Sequence, residues 1–92
     1  MSNKLDFVKV DALRRHMLLT STDMARVFKV SRQTYYNWCT GAYPNEQKAL
    51  AVKEKLRELM ALMATGNWPT PEAIAANSDQ RYEKLLEALS GM

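Results

Sequence analysis

Between four punctuation marks, every stretch of this chain repeats its apolar residues at steps of three and four. The marks are Gly41-Ala42-Tyr43-Pro44, Gly66-Asn67-Trp68-Pro69, Asn77-Ser78-Asp79 and Ser90-Gly91, residue types that interrupt regular structure. Steps of three and four gather side chains on one face of a helix, whereas a half-buried strand needs alternation. Three Gly and three Pro in 92 residues are too few for the many turns of a sandwich or barrel. The pattern predicts an all-α fold, a small helical bundle of about five to six helices. At this length the chain is one domain that buries about 60–65% of its unfolded surface. Its 47% apolar content excludes disorder as the resting state.

Phe7, Val10, Leu13 and Met17 predict a first helix over about 7–17, capped by Asp6 or Asp11. Thr20-Ser21-Thr22-Asp23 has the form of a capping box with Asp23 as the reciprocal acceptor. It opens a short helix to about Phe28, with Met24, Ala25 and Phe28 on one face. Ser31 caps a third helix over 32–40, where Tyr35 and Trp38 lie three apart. Two short helices joined by Lys29-Val30-Ser31 have the spacing of a helix-turn-helix. A longer helix is predicted from about Asn45 to Ala64, with Ala49, Val52, Leu56, Leu59 and Met63 as a heptad-like seam. Such a helix is about 28 Å long, more than a helix-turn-helix core can cover. Thr70-Pro71-Glu72 reads as N-cap, first-turn proline and acid of a small helix. Ser78 or Asp79 caps a last helix in which Tyr82, Leu85, Leu86 and Leu89 share a face. The expected division is a helix-turn-helix core with its long fourth helix over 1–66 and a helical extension over 67–92, within one compact unit. Leu56, Leu59, Met63, Leu85, Leu86 and Leu89 are the expected oligomerisation contacts.

Charge is unevenly placed. Residues 1–48 carry eight Lys and Arg against four Asp and Glu, while residues 49–92 carry five against six. The excess positive charge therefore lies in the first half, a footprint suited to a polyanion. A single Cys39 and a single His16 exclude an internal disulfide and leave no metal-ligand cluster. His16 reads as a surface residue, Cys39 as an inert, partly buried thiol, and Trp68 as a core cover for the end of the long helix. No apolar run approaches the roughly 20 residues of a membrane span, and the N-terminus lacks an apolar secretory segment. The expectation is a soluble, cytoplasmic protein. With no carboxylate pair, nucleophile–base set or phosphate loop, it is not expected to be an enzyme, nor to need a cofactor, metal or small-molecule ligand.

Residues 19–41, from Leu19-Thr20 through Ala25, Val30-Ser31 and Trp38 to Gly41, resemble the helix-turn-helix of the phage repressor/Cro (Xre-like) family. Thr20, Ala25, Val30, Ser31, Trp38 and Gly41 stand in the family's anchor places. The resemblance is close over about a third of the chain and looser over residues 8–60. It implies that Ala25, Val30, Tyr35 and Trp38 form the motif core, with Gly41 ending the second motif helix. It also implies that Arg32, Gln33 and Asn37 read bases from the major groove. Arg can grip guanine O6 and N7, and Gln or Asn can grip adenine N6 and N7, each through two hydrogen bonds. Ser21, Lys29, Ser31, Thr34, Tyr36 and Thr40 are implied contacts to the DNA backbone. Two departures stand out. The family's turn glycine is Lys29 here, which places a side chain on a left-handed residue at a cost of about 1 kcal/mol, and Cys39 replaces the usual Glu.

The resemblance implies a sequence-specific transcriptional regulator, a repressor in the simplest mechanism, encoded by a phage or prophage and acting in a host bacterial cell. It would bind double-stranded DNA as a homodimer on a palindromic operator through the helix at about 31–40. Two other readings share the same parts. Small terminase subunits of phage packaging machines also place a helix-turn-helix before an oligomerising helical region. An antitoxin-like module would use its C-terminal helices to neutralise a partner protein.

Overall fold

The computed structural model of the chain describes residues 5–91; residues 1–4 and 92, which the two sequence ranges include, lie outside it. Among the described residues there are six helices and no strand. The helices are α1 (Phe7–His16), α2 (Ser21–Val27), α3 (Arg32–Cys39), α4 (Glu46–Ala64), α5 (Pro71–Ala75) and α6 (Ser78–Ser90). The protein is an all-α bundle.

Local chemistry explains most of the boundaries, because the first N–H groups of a helix need acceptors. Of the two aspartates considered for α1, Asp6 is the cap and accepts from the Val8 N–H. Thr20 and Asp23 close a full capping box at α2, at 3.1 and 3.0 Å. Ser31, Asn45 and Thr70 cap α3, α4 and α5 through one side-chain oxygen each. The cap of α6 differs from the sequence expectation. It is Asn77, in a capping box with Gln80, and Ser78 and Asp79 fall in the first turn instead. Asn is as good an N-cap as Ser or Asp, and only Asn77 has a Gln three residues on.

Both ends of the turn regions on either side of α2 close in the same way. At α1, the Leu19 and Leu18 N–H groups donate to the Arg14 and Arg15 carbonyls. At α2, Val30 and Lys29 donate to Ala25 and Arg26. These are paired reversals that need a left-handed residue just past the helix, usually glycine. Here the residues are Leu18, with φ 60°, and Lys29, with φ 59°.

One apolar cluster runs through the whole bundle. Phe7, Val10 and Met17 meet Met24, Val27, Phe28, Tyr35 and Trp38 from the motif, then Val52, Leu59 and Leu62 from α4. Trp68, Ala73 and Leu85 complete it from the C-terminal third. The buried Trp68 indole donates to the Met17 carbonyl at 2.9 Å, so it closes over the end of α1. Asp23 and Arg81 join α2 to α6 through a 2.8 Å ion pair. The Arg26 guanidinium stacks over the Tyr82 ring at 5.5 Å and pairs with Asp79. Residues 67–91 therefore pack into the same core as residues 5–66.

This packing changes the expected seam. Ala49, Val52 and Leu59 on α4 are buried inside one chain, and Leu56 and Met63 are half-buried against the same cluster. Leu59 and Leu85 have 0% exposure and offer nothing to another molecule. Heptad spacing marks an apolar face without saying what covers it; here α6 packs against α4 within the one core cluster. Leu56, Met63 and Leu89 remain partly accessible, and Leu86 is 42% exposed.

Candidate nucleic-acid interface

α3 presents two unlike faces. On the inner one, Tyr35 and Trp38 are buried; Trp38 packs on Phe7 with ring centres 5.4 Å apart, and Tyr35 lies 6.2 Å from Phe28. Ala25 is buried, Val30 half-buried, and the α2–α3 turn brings the two helices together. Gly41 has φ 133°, and the Ala42 N–H folds back to the Asn37 carbonyl at 2.8 Å. The four motif-core residues and the terminating glycine thus stand where they hold α3 against the bundle.

A polar network fixes the angle of α3 to α1. The Tyr35 hydroxyl donates to Asp11 Oδ1 at 2.9 Å. Arg14 donates to the same carboxylate from Nε at 2.6 Å and Nη2 at 3.2 Å, and Arg15 adds a bond at 2.9 Å. The Arg14 hydrogen bond outweighs burial and, with the Tyr35 bond, holds the Asp11 carboxyl below its ordinary value. Burial first, and the bond to Asp11 second, push the Tyr35 phenol far above the ordinary tyrosine range, so it stays a donor. Burial also raises the Cys39 thiol, which keeps it protonated and unreactive near neutral pH. The Asp11–Arg14–Arg15 spacing is visible in the sequence as steps of three and four. Its link to Tyr35, 24 residues on, has no local signal.

The outer face is polar and open. Arg32, Gln33 and Asn37 are all exposed. Arg32, like Arg57 on α4, has no ion-pair partner among the described residues, whereas Arg14, Arg15, Arg26 and Arg81 are all paired. Gln33 Nε2 donates to Asn37 Oδ1 at 3.0 Å. Tyr36 is 60% exposed. Thr40 is exposed and turns its hydroxyl back to the Tyr36 carbonyl at 3.0 Å. Ser31 and Thr34 are engaged with one another: Ser31 accepts from the Thr34 N–H and donates to Thr34 Oγ1.

A groove of about 450 Å³ runs along this face, with Asp11 and Arg14 from α1, Ser21 from α2, and Arg32, Tyr36 and Thr40 from α3 among its walls. Ser21, on the other helix of the pair, therefore shares one concave surface with the outer face of α3. Lys29 is exposed at the turn, beside Lys48 and Lys55 in a second, smaller depression of about 240 Å³. Lys55 pairs with Glu58, while Lys29 and Lys48 have no ion-pair partner among the described residues. No group of three His, Cys, Asp or Glu that could hold a metal occurs among the described residues, and none of their helices is long and apolar enough to cross a membrane. The chain matches no protein-family model, no curated protein and no solved structure.

Proposed function

We propose that the chain is a sequence-specific DNA-binding regulator of the phage repressor/Cro type, a homodimer that represses by occupying a palindromic operator. The observation that carries this reading is the outer face of α3. Arg32, Gln33, Tyr36 and Asn37 stand exposed on a helix whose inner face is anchored by two buried aromatic residues and a charged network. A rigid helix with an open row of Arg, Gln and Asn has the hydrogen-bonding groups that base edges require. Arg32 on this face, and Lys29 at the turn that precedes α3, have no ion-pair partner among the described residues and supply cations that a phosphate backbone attracts. In this reading Arg32, Gln33 and Asn37 face bases, while Ser21, Lys29, Tyr36 and Thr40 meet the backbone, with Ser31 and Thr34 at its edge. The dimer contact uses what α4 and α6 leave accessible: Leu56, Met63, Leu86 and Leu89.

The test is a titration of operator and scrambled duplex, the operator first obtained by selecting bound fragments from random DNA. Arg32→Ala should cost about 1–3 kcal/mol on the operator and less on scrambled DNA. Tyr36→Phe should weaken both duplexes by a similar factor, as a phosphate contact would. If the wild-type chain enriches no sequence, or if Arg32→Ala leaves the ratio of operator to scrambled binding intact, α3 is not a reader.

A further inference from the structure

We propose that Gln33 and Asn37 act as a single reader, in which Asn37 holds the Gln33 amide and the pair specifies one adenine. This rests on the DNA reading above and sharpens it, because the two residues would otherwise each be assigned a base. Their bond spans one turn of the exposed face, from Gln33 Nε2 to Asn37 Oδ1 at 3.0 Å. Neighbours at this spacing on a helix meet without distortion.

The bond has two effects on what the surface offers. A free glutamine side chain must lose its rotamer freedom when it grips a base; here the bond to Asn37 already biases it towards one arrangement. With one N–H spent on Asn37, the Gln33 amide keeps one N–H and its Oε1 for the groove. One donor beside one acceptor fits adenine, which presents N7 and the N6 amino group, whereas guanine presents two acceptors, N7 and O6. The Asn37 Oδ1 is meanwhile engaged, so Asn37 cannot offer its own donor–acceptor pair to a second base without breaking the bond. Asn37 is therefore a positioning residue for Gln33. Arg32, exposed and without an ion-pair partner among the described residues, stays an independent donor and takes a guanine.

The test is selection from random DNA followed by sequencing, on the wild-type chain and on Gln33→Ala, Asn37→Leu, Asn37→Asp and Arg32→Ala. All three positions are exposed, and circular dichroism checks that the helices persist. Gln33→Ala and Asn37→Leu should relax the same A·T pair in each half-site, by on the order of tenfold. Arg32→Ala should relax a different, G·C pair. Asn37→Asp keeps the acceptor for Gln33, so the adenine preference should survive while the added charge weakens binding to all DNA. If Gln33→Ala and Asn37→Leu relax two different base pairs, or if Asn37→Asp abolishes the adenine preference, the single-reader proposal fails and the DNA reading stands. If the wild-type chain enriches no sequence, the DNA reading fails and the proposal with it.

Discussion

Lys29 carries a conformational cost at the point where the chain turns from α2 into α3. A left-handed residue with a side chain costs about 1–2 kcal/mol, against about 0.5–1 kcal/mol for the extra freedom that glycine has when unfolded. Lys29→Gly should therefore stabilise the free protein by about 0.5–1 kcal/mol, measured by urea unfolding. It should also weaken DNA binding modestly and lower the salt slope by about one unit, since an exposed cation beside the motif is lost. A variant less stable than wild type would show that the lysine stem supports the turn. The left-handed position at Lys29 was legible because the motif has a fixed place for it. Leu18 was not: nothing in Leu18-Leu19-Thr20 signals a left-handed residue, as Gly or Asn would. What sets it is tertiary, because Met17 and Leu19 are both buried and the chain must reverse between them.

Pairs of elements depend on contacts far apart in sequence, and these were the least legible. The joint between α2 and α6 rests on Asp23, 0% exposed, and Arg81, whose side chain is 14% exposed. The Arg26–Asp79 pair beside it is open to water and contributes less than about 1 kcal/mol. Burial pushes the Asp23 carboxyl up, but the Thr20 N–H and the Arg81 guanidinium more than offset it and hold the group below its ordinary value. Asp11 is held below its ordinary value as well. A carboxylate depressed in the folded state stabilises the protein above its unfolded pKa, near pH 4, and that contribution is lost as pH falls through the folded value. Stability should thus be insensitive to these two groups from pH 7 to about 5 and should fall below about pH 4. Arg81→Leu takes this guanidinium away from a buried carboxylate and should cost about 2–4 kcal/mol at neutral pH. It should also move the acid limb upward, because burial then acts on Asp23 with less opposition. Thermal melts from pH 3 to 7 on both chains check this; an unmoved acid limb would show that Arg81 is not what holds the carboxyl below its ordinary value. The sequence revealed Asp23 as a helix cap, through its spacing from Thr20. Its partner Arg81 lies 58 residues away, beyond any local pattern.

At the scale of the whole molecule, the open question is how much apolar surface one chain leaves for another. The helical pattern and the caps made the starts of all six helices legible to within a residue or two, since periodicity and end chemistry are local. Which leucines face inward was not, because a three-and-four spacing looks the same whether the cover comes from α6 or from a second copy. The difference can be tested directly. Leu59 and Leu85 have 0% exposure, so a charge at either site enters the core and should unfold the chain. Leu86 is 42% exposed, so Leu86→Glu should change folding by less than about 1 kcal/mol. Any effect of Leu86→Glu on mass in solution then reports on association alone. Wild-type chain should sediment as a dimer at high micromolar concentration and Leu86→Glu as a folded monomer. A monomeric wild type would remove the homodimer and with it the palindromic operator, because two-fold sites mirror two-fold proteins. A ring of many subunits would instead favour the packaging-subunit reading, with the same α3 face turned to DNA.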